Sequence, residues 1–311
     1  MVQGTQQVTR RGFLAGAAAA LGAPLVVRAS ALGANAPSDR IPMGLIGIGK
    51  MCQGHLGTML GRNDVHVLAV CDVQAERRDP AKEQTDKRYG NQDCAAYNDF
   101  RQMMERTDIE AVLIATPEHW HAIPTIQAAQ SGKDVYCEKP MTRTWQEAKE
   151  VLATSVRTKR VFQIGAQGCS DPAWWQAKKI REAGGHGPLL WTSTSVARNS
   201  LVGEWDYYPI RWDATEQTLD WSRFLGSAPK LPFCRENLER FFRWRKFWDY
   251  SGGIATDLFY HALSHNEIVL GGELPTRVVS DGAIVRHNRD VPDIHVVLAE
   301  FPSGNVLVMP G

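Results

Sequence analysis

The sequence predicts an α/β protein whose first half is a doubly wound parallel sheet of the Rossmann type. Short apolar runs alternate with helical segments between positions 43 and 137, which is the pattern of successive βαβ units. Polar side chains follow these runs directly, where parallel strands end and ligands bind. The second half is chemically different, because nine of the ten tryptophans lie between Trp145 and Trp248.

The composition of the chain excludes two classes of protein. The chain has 311 residues and a formal net charge of +1, so it lacks the strong basic excess of a nucleic-acid-binding protein. A hydrophobic fraction of 43% supplies enough apolar material for a folded core, which excludes disorder as the main state. The length predicts about two domains. With the motifs and the resemblance described below, we expect a signal peptide at 1–36, a dinucleotide-binding domain at 37–165 and a partial substrate and oligomerisation domain at 166–311.

The N-terminus has the features of an export signal. Arg10 and Arg11 precede a small apolar run at 15–27, and small-residue cleavage sites end at positions 31 and 36. The paired arginines indicate the twin-arginine route, so we expect an exported, periplasmic protein that meets the twin-arginine machinery and keeps no permanent membrane anchor. A disordered tail or a retained anchor stays open as an alternative.

The first predicted strand, 43–48, runs into a glycine turn. Gly47 and Gly49 suit a tight strand-to-helix connection whose backbone approaches a pyrophosphate at the helix N-terminus. Cys52 stands where the third glycine of the fingerprint is usual, and it is small enough for close helix–strand packing. Met51 and Cys52 are included with the two glycines as predicted cofactor-binding residues.

An acidic residue ends the second predicted strand, 65–71. Asp72 lies at the distance from the glycines where a carboxylate accepts hydrogen bonds from the adenosine ribose, which favours NAD. Arg77 and Arg78 follow closely and leave NADP open. A strand-end turn or helix cap is the structural alternative for Asp72.

Two further strands are predicted at 111–115 and 134–137. Because strand ends share one edge of a parallel sheet, we expect the residues after these runs to meet at the same cavity. The predicted cofactor-binding residues there are Thr116, Pro117, His121, Glu138 and Lys139.

These stretches resemble the glucose–fructose oxidoreductase, inositol dehydrogenase and MocA-like family, in its exported twin-arginine branch. The resemblance rests on four motifs in order: Gly44 to Gly49, Ala115-Thr116-Pro117 with His121, Glu138-Lys139-Pro140, and Gly252-Gly253 leading to Asp257 and His261. It implies a Rossmann domain followed by an α/β domain on an open, mostly antiparallel sheet. It also implies NAD(P)-dependent oxidation or reduction of hydroxyls in sugars and cyclitols.

The chain ends directly after a predicted hairpin, with strands at 294–301 and 306–309 around Ser303-Gly304. Relatives of the exported branch usually continue, so we expect a truncated C-terminus and an incomplete open sheet. The family's typical contact through that sheet makes a homo-oligomer an expected partner state.

The segment around Asp257 is predicted to be a helix capped by Thr256. Asp257 and His261 are four residues apart and so within reach of each other, and a carboxylate beside an imidazole favours a general base. The resemblance makes Lys139, Asp257 and His261 the catalytic set. The alternatives are a metal site that adds His265, for which no further ligand is evident, and a capping aspartate with a core histidine.

The leading hypothesis is therefore an exported NAD(P)-dependent oxidoreductase that acts on a carbohydrate hydroxyl and retains its cofactor, since twin-arginine export moves folded proteins. The alternative is an NAD-dependent glycoside hydrolase that uses transient ring oxidation, elimination and re-reduction. A non-catalytic protein on the same fold is a third. Arg211, Arg243 and Arg245 intersperse the aromatic region and are candidates for holding an acidic or hydroxyl-rich ligand. The six cysteines contain no CxxC pair and are expected to be free thiols.

Overall fold

The computed structural model describes residues 39–185, 187–196 and 202–311. The predicted signal at 1–36 lies outside the described residues. By its contacts the chain divides into a short unit, Met1–Arg40, and a large one, Ile41–Gly311, which contains both sheets. In the described ranges, no helix combines the length and the hydrophobicity needed to cross a membrane.

A six-stranded parallel sheet forms the first half, with strand order β3-β2-β1-β4-β5-β6. This order is that of the doubly wound dinucleotide-binding fold and confirms the predicted fold class. The strands are β1 (Ile41–Ile46), β2 (Val65–Cys71), β3 (Ala95–Tyr97), β4 (Ala111–Ile114), β5 (Asp134–Glu138) and β6 (Phe162–Gly165). The helices are α1 (Lys50–Gly61), α2 (Ala75–Tyr89), α3 (Phe100–Met104), α4 (Ala122–Gln130) and α5 (Trp145–Thr158).

Helices cover both faces of this sheet. Neighbouring residues of a strand point to opposite faces, and Leu45 and Ile46 of β1 accordingly belong to two different apolar clusters. Leu56 of α1 packs in the first cluster, whereas Met103 of α3 and Ala128 of α4 pack in the second. The helices cover the faces of the sheet but not the carboxyl ends of its strands, and the polar residues of the sequence lie at these ends.

A four-stranded mixed sheet forms part of the second half, in the order β7-β10-β9-β8. Its strands are β7 (Trp191–Ser193), β8 (Arg277–Ala283), β9 (Ile294–Glu300) and β10 (Val306–Pro310). Two of the three pairings are antiparallel, and β9 and β10 form the predicted hairpin around Gly304. Ile294, Val296 and Leu298 of β9 remain exposed.

The helices and loops of residues 172–270 contain most of the aromatic side chains of the chain. Trp205, Phe224 and Tyr250 are almost completely buried, so they build the core of this region. The helices are α6 (Pro172–Glu182), α7 (Trp221–Leu225), α8 (Leu238–Phe242), α9 (Ile254–Asp257) and α10 (Phe259–Leu270).

Thr256 was predicted to cap the helix that follows it, and this prediction is wrong. The residue lies inside α9, which begins after Gly253, and the chain then restarts as α10 after Leu258. Gly253 has φ +67°, a conformation that favours glycine, and this turn starts the helix earlier than a threonine cap would. The prediction of free thiols is confirmed: the six cysteines form no disulfide, and four are buried.

Candidate active site

A cavity of about 500 Å³ lies at the carboxyl ends of β1, β2, β4 and β5. Its size is that of a cofactor or ligand site. Nine of the ten predicted cofactor-binding residues line it: Gly47, Gly49, Met51, Asp72, Thr116, Pro117, His121, Glu138 and Lys139. The opposite wall comes from the second half of the chain and includes Tyr208, Phe241, Phe242, Trp244 and Arg245.

Gly47 forms the turn at which the backbone enters the cavity. Its φ is +83°, and a Cβ at this position would lie 2.8 Å from the Thr116 amide nitrogen and 2.9 Å from the Ala115 carbonyl. The N-cap residue of α1 is Gly49, which has no side chain that could accept a hydrogen bond. The first-turn amides of the helix are therefore not bound by a capping side chain. These two features fit an anionic pyrophosphate at the start of α1.

The tenth residue, Cys52, does not line the cavity. Its side chain is fully buried in the apolar cluster with Leu56 and Val67, and burial raises the pKa of its thiol. The prediction that Cys52 contacts a cofactor is therefore corrected for the side chain. The physical reason is the helical phase, since the residue faces the sheet, as the third glycine of the fingerprint does when helix and strand pack closely.

Asp72 ties the glycine turn to the end of β2. Its Oδ2 accepts a hydrogen bond from the Ile48 amide at 2.6 Å, and its Oδ1 accepts one from the Gln74 amide at 2.8 Å. Burial raises the pKa of this carboxyl, although the Arg77 charge and the two amides act in the opposite direction. The carboxylate thus orders the turn and keeps its remaining lone pairs at the cavity wall.

His121 joins two strand-end loops. Its Nδ1 lies 2.6 Å from the Pro140 carbonyl and its Nε2 lies 2.8 Å from the Thr116 carbonyl. Both partners are acceptors, so both nitrogens must donate and the ring is an imidazolium. Burial opposes this charge, but Cys137 and the Pro140 carbonyl outweigh it and raise the pKa of His121 to about 9. Both ring nitrogens are used within the protein, so His121 positions the cavity wall.

Lys139 and Asp257 form a buried ion pair. The Lys139 Nζ donates to the Asp257 Oδ1 at 2.7 Å and to its backbone carbonyl at 2.9 Å, and the two side chains are 8% and 5% exposed. Arg245 Nε donates to the other carboxylate oxygen at 3.0 Å. Burial alone would raise the pKa of Asp257, but the charges of Arg245 and Lys139 lower it to about 2. The carboxylate is therefore ionised and shared between two cations.

His261 is not oriented by Asp257 as predicted. The helix is interrupted at Leu258, and both Asp257 oxygens bind cations instead of the imidazole. His261 is half-buried and does not line the cavity, and among the described residues its ring has no hydrogen-bond partner. Burial and the nearby Lys139 charge lower its pKa below the ordinary range, so the imidazole is neutral at pH 7.

The structure adds a residue that the sequence analysis missed. Glu118 is fully buried, and its carboxylate accepts hydrogen bonds from the hydroxyls of Ser251 and Thr256 at 2.7 Å and from the Gly252 amide at 3.1 Å. It thereby fixes the turn that leads into Asp257. The only local signal was an acid in the strand-end loop after Pro117, which does not reveal partners more than a hundred positions away.

Replacing Glu118 with alanine is expected to destabilise the protein by about 2–4 kcal/mol, because two buried hydroxyls and one amide lose their acceptor. Glutamine, which keeps one carbonyl oxygen, should cost less. Urea unfolding measures both free energies, and Glu150→Ala on the exposed side of α5 is the matched control. Equal stability of the Glu118→Ala and Glu150→Ala variants would contradict this role.

Glu138 faces the cavity beside the glycine turn. Its Oε1 lies 2.7 Å from the Nε2 of His55 on α1, which links β5 to that helix. In the part of the chain that the structure describes, no three histidine, cysteine or acidic side chains are grouped so as to hold a metal ion. Asp257, His261 and His265 therefore do not form the metal site that was considered.

Comparison with known proteins agrees with this geometry. Residues 41–166 match the model of the family GFO_IDH_MocA, described as an oxidoreductase family with an NAD-binding Rossmann fold. Inositol 2-dehydrogenase of Salmonella typhimurium is 31% identical over 150 residues, which are 47% of this chain and 43% of that protein. A glycosyl hydrolase family 109 protein of Shewanella baltica is 33% identical over 136 residues, 42% of this chain and 29% of that protein. The match thus spans less than half the length of these curated relatives.

Solved structures show the same fold over most of the chain. The WlbA dehydrogenase from Bordetella pertussis, in complex with NADH and UDP-GlcNAcA, has a TM-score of 0.64 at 18% identity and covers 87% of this chain and 71% of that one. A myo-inositol 2-dehydrogenase from Lactobacillus plantarum has a TM-score of 0.63 at 18% identity, with coverages of 88% and 69%. The parallel sheet and the glycine turn at the cavity both lie within the segment 41–166 that matches this NAD-binding family model.

Proposed function

We propose that the protein is an NAD-dependent oxidoreductase that acts on a hydroxyl of a sugar, a cyclitol or a related carbohydrate. The observation that supports this most is the ion pair of Lys139 with Asp257, since Lys139 lines the same cavity as the glycine turn. An inositol dehydrogenase among the relatives and a sugar-nucleotide complex among the structural neighbours are consistent with this substrate class.

Lys139 is the residue that meets the substrate hydroxyl in this mechanism. Its ammonium is held by Asp257, and it stabilises the alkoxide that develops as the hydroxyl loses its proton. Asp257 is a positioning residue, because both of its oxygens are engaged by cations. NAD, when bound, supplies the hydride acceptor.

His261 is the proposed proton acceptor because the family resemblance includes it in the catalytic set and it follows Asp257, the partner of Lys139, by four residues. Burial and the Lys139 charge lower the pKa of His261. A base works only when deprotonated, and the lowered pKa of His261 keeps it deprotonated below the ordinary histidine range. We therefore expect kcat/KM to stay constant from neutral pH down to a point below pH ~6.5 and to fall only there.

His261→Gln should remove this acid limb and lower kcat/KM by about 10²- to 10⁴-fold. His295→Gln is the matched control, since burial also lowers the pKa of His295, which binds Ser280 on the second sheet away from the cavity. An unchanged acid limb in the His261 variant would contradict its role as the base.

We propose that the cofactor is NAD rather than NADP and that the protein holds it tightly. A carboxylate at Asp72 repels a 2′-phosphate, although Arg77 also lines the cavity. Phe241 and Phe242 of α8 lie on the wall opposite the glycine turn, and the Arg77 guanidinium carbon lies 4.8 Å from the Phe241 ring centroid. A cofactor bound between these walls would leave slowly.

The test begins with purified protein that is denatured so that any released nicotinamide nucleotide can be identified by mass spectrometry. Stoichiometric NAD, followed by its reduction when a sugar or cyclitol panel is added, is the expected result. Protein that neither releases nor binds a nicotinamide nucleotide would overturn the proposal.

A second candidate, an NAD-dependent glycoside hydrolase, is favoured by the likeness to the family 109 protein. Its net reaction is redox-neutral, so nitrophenyl glycosides should release nitrophenol without accumulation of reduced nicotinamide. Net reduction of NAD with a free sugar would instead support the oxidoreductase.

Location and assembly are also part of the proposal. The Arg10-Arg11 pair supports export to the periplasm through the twin-arginine machinery, and Arg10→Lys with Arg11→Lys should keep the protein in the cytoplasmic fraction. The exposed apolar row on β9 supports a homo-oligomer formed by two copies of the second sheet. Light scattering at several protein concentrations measures the oligomeric state.

A further inference from the structure

We infer that Arg245 recognises a carboxylate on the substrate, so that the carbohydrate is an acidic sugar; this inference rests on the proposed function. Three arginines of the aromatic region were candidates for holding a ligand. Arg211 is paired with Asp213 on the surface, and Arg243 binds Asp206 away from the cavity wall. Of the three, Arg245 lines the cavity.

The guanidinium of Arg245 is held in one orientation. Its Nε donates to Asp257 at 3.0 Å, and its central carbon lies 4.1 Å from the Trp244 ring centroid. The side chain is 26% exposed, and within the described ranges its Nη1 and Nη2 nitrogens have no hydrogen bond to the protein. The free edge of an arginine fork presents two parallel N–H donors, which match the two oxygens of one carboxylate.

Three basic side chains line the cavity around this edge: Lys139, Arg245 and Lys50. Lys139 and Arg245 share the negative charge of Asp257, and the other acidic groups nearby have protein partners, since Glu118 binds Ser251 and Thr256 and Glu138 binds His55. The Lys50 Nζ lies 5.5 Å from the Tyr208 ring centroid, and the Arg245 guanidinium approaches the same ring at 6.0 Å. A substrate carboxylate would face these cations, and the Tyr208 face offers an apolar surface to a sugar ring.

The test compares ligands that differ in one group, using the protein saturated with NAD. Calorimetry measures the binding of D-glucuronate, D-glucose, D-glucuronamide and D-glucose 6-phosphate, and of D-galacturonate against D-galactose. We expect each uronate to bind about 10- to 100-fold tighter than its neutral counterpart and than the amide. Equal affinities would overturn the inference, and tighter binding of the phosphate would reassign the site to phosphorylated sugars.

Variants separate recognition from general damage. Arg245→Gln also removes a partner of Asp257, so the diagnostic quantity is the ratio of uronate to neutral-sugar affinity, which should fall to within about twofold of unity. Arg211→Gln is the matched control and should keep the wild-type ratio. A preserved affinity ratio in Arg245→Gln overturns the inference. If the ratio is preserved and the NAD affinity falls, the free edge of the Arg245 guanidinium is assigned to the cofactor instead. If Arg245→Gln does not fold, the wild-type ligand series decides alone.

Different results would overturn the acidic-sugar inference and the oxidoreductase function. Reduction of NAD with neutral sugars but not with uronates would overturn the acidic-sugar inference and leave the oxidoreductase intact. Selective uronate binding without any nicotinamide binding or turnover would overturn the oxidoreductase and leave Arg245 as a carboxylate site.

Discussion

Replacing Lys139 with methionine is expected to lower kcat/KM for hydroxyl oxidation by about 10²- to 10⁴-fold. Methionine keeps the length of the side chain but removes the ammonium that stabilises the developing alkoxide. The glycine turn is untouched, so NAD affinity should change by no more than about threefold. Steady-state kinetics measures the first quantity, and titration of the tryptophan fluorescence with NAD measures the second.

Lys149→Met is the control for this experiment. Lys149 is an exposed lysine of α5 whose Nζ lies 5.3 Å from the exposed Trp145 ring, so its replacement should leave kinetics and NAD affinity unchanged. Full activity of the Lys139 variant would remove Lys139 from the mechanism. Loss of folding would be detected by thermal unfolding, and in that case Lys139→Arg tests whether a cation at this site restores turnover.

Replacing Gly47 with alanine is expected to abolish NAD binding and to destabilise the protein by about 2–5 kcal/mol. An alanine at φ +83° is strained, and its Cβ would lie within 2.9 Å of backbone atoms of Ala115 and Thr116 that cannot rotate away. The turn must shift, which displaces the start of α1 from the cavity. Urea unfolding and NAD titration measure the two effects.

Gly57→Ala provides the opposite expectation within the same segment. Gly57 lies in the middle of α1, and a Cβ there meets no atom within 4 Å. Alanine is the better helix former, so this variant should be neutral or more stable by up to about 1 kcal/mol, with normal NAD binding. A Gly47 variant as stable as the Gly57 variant would show that the turn tolerates a side chain.

The parallel sheet could be predicted because its signals are local. The runs at 65–71, 111–115 and 134–137 became β2, β4 and β5 with end shifts of at most one residue. Each is an apolar run of strand length that ends in a polar residue, and such a segment is typical of a buried strand in a parallel sheet. The positions of the cavity residues followed from the same rule.

The chemistry of individual side chains could not be predicted in the same way. The spacing of Asp257 and His261 indicated a contact along one helix, but the helix is interrupted between them and Asp257 instead binds Lys139 and Arg245. Helical spacing implies neighbours only where the helix is continuous.

Arginines were a second case in which sequence left the choice open. Arg211, Arg243 and Arg245 lie in one aromatic stretch and are equivalent by composition. Their partners distinguish them. Arg211 is paired on the surface, Arg243 binds the half-buried Asp206 and the Tyr208 carbonyl, and Arg245 reaches the cavity.

The parallel sheet of the first half, the resemblance to an NAD-binding oxidoreductase family and the edge at which a dinucleotide is expected to bind could be predicted from the sequence, because apolar runs, glycines and strand-end residues act over a few positions. Three features required the three-dimensional contacts: Glu118 supports the turn before Asp257, Asp257 is shared by two cations, and Cys52 faces the core. The contacts of Glu118 and Lys139 join segments more than a hundred residues apart, and the position of Cys52 depends on helical phase. Burial, which makes unpaired polar groups costly, selects the partners.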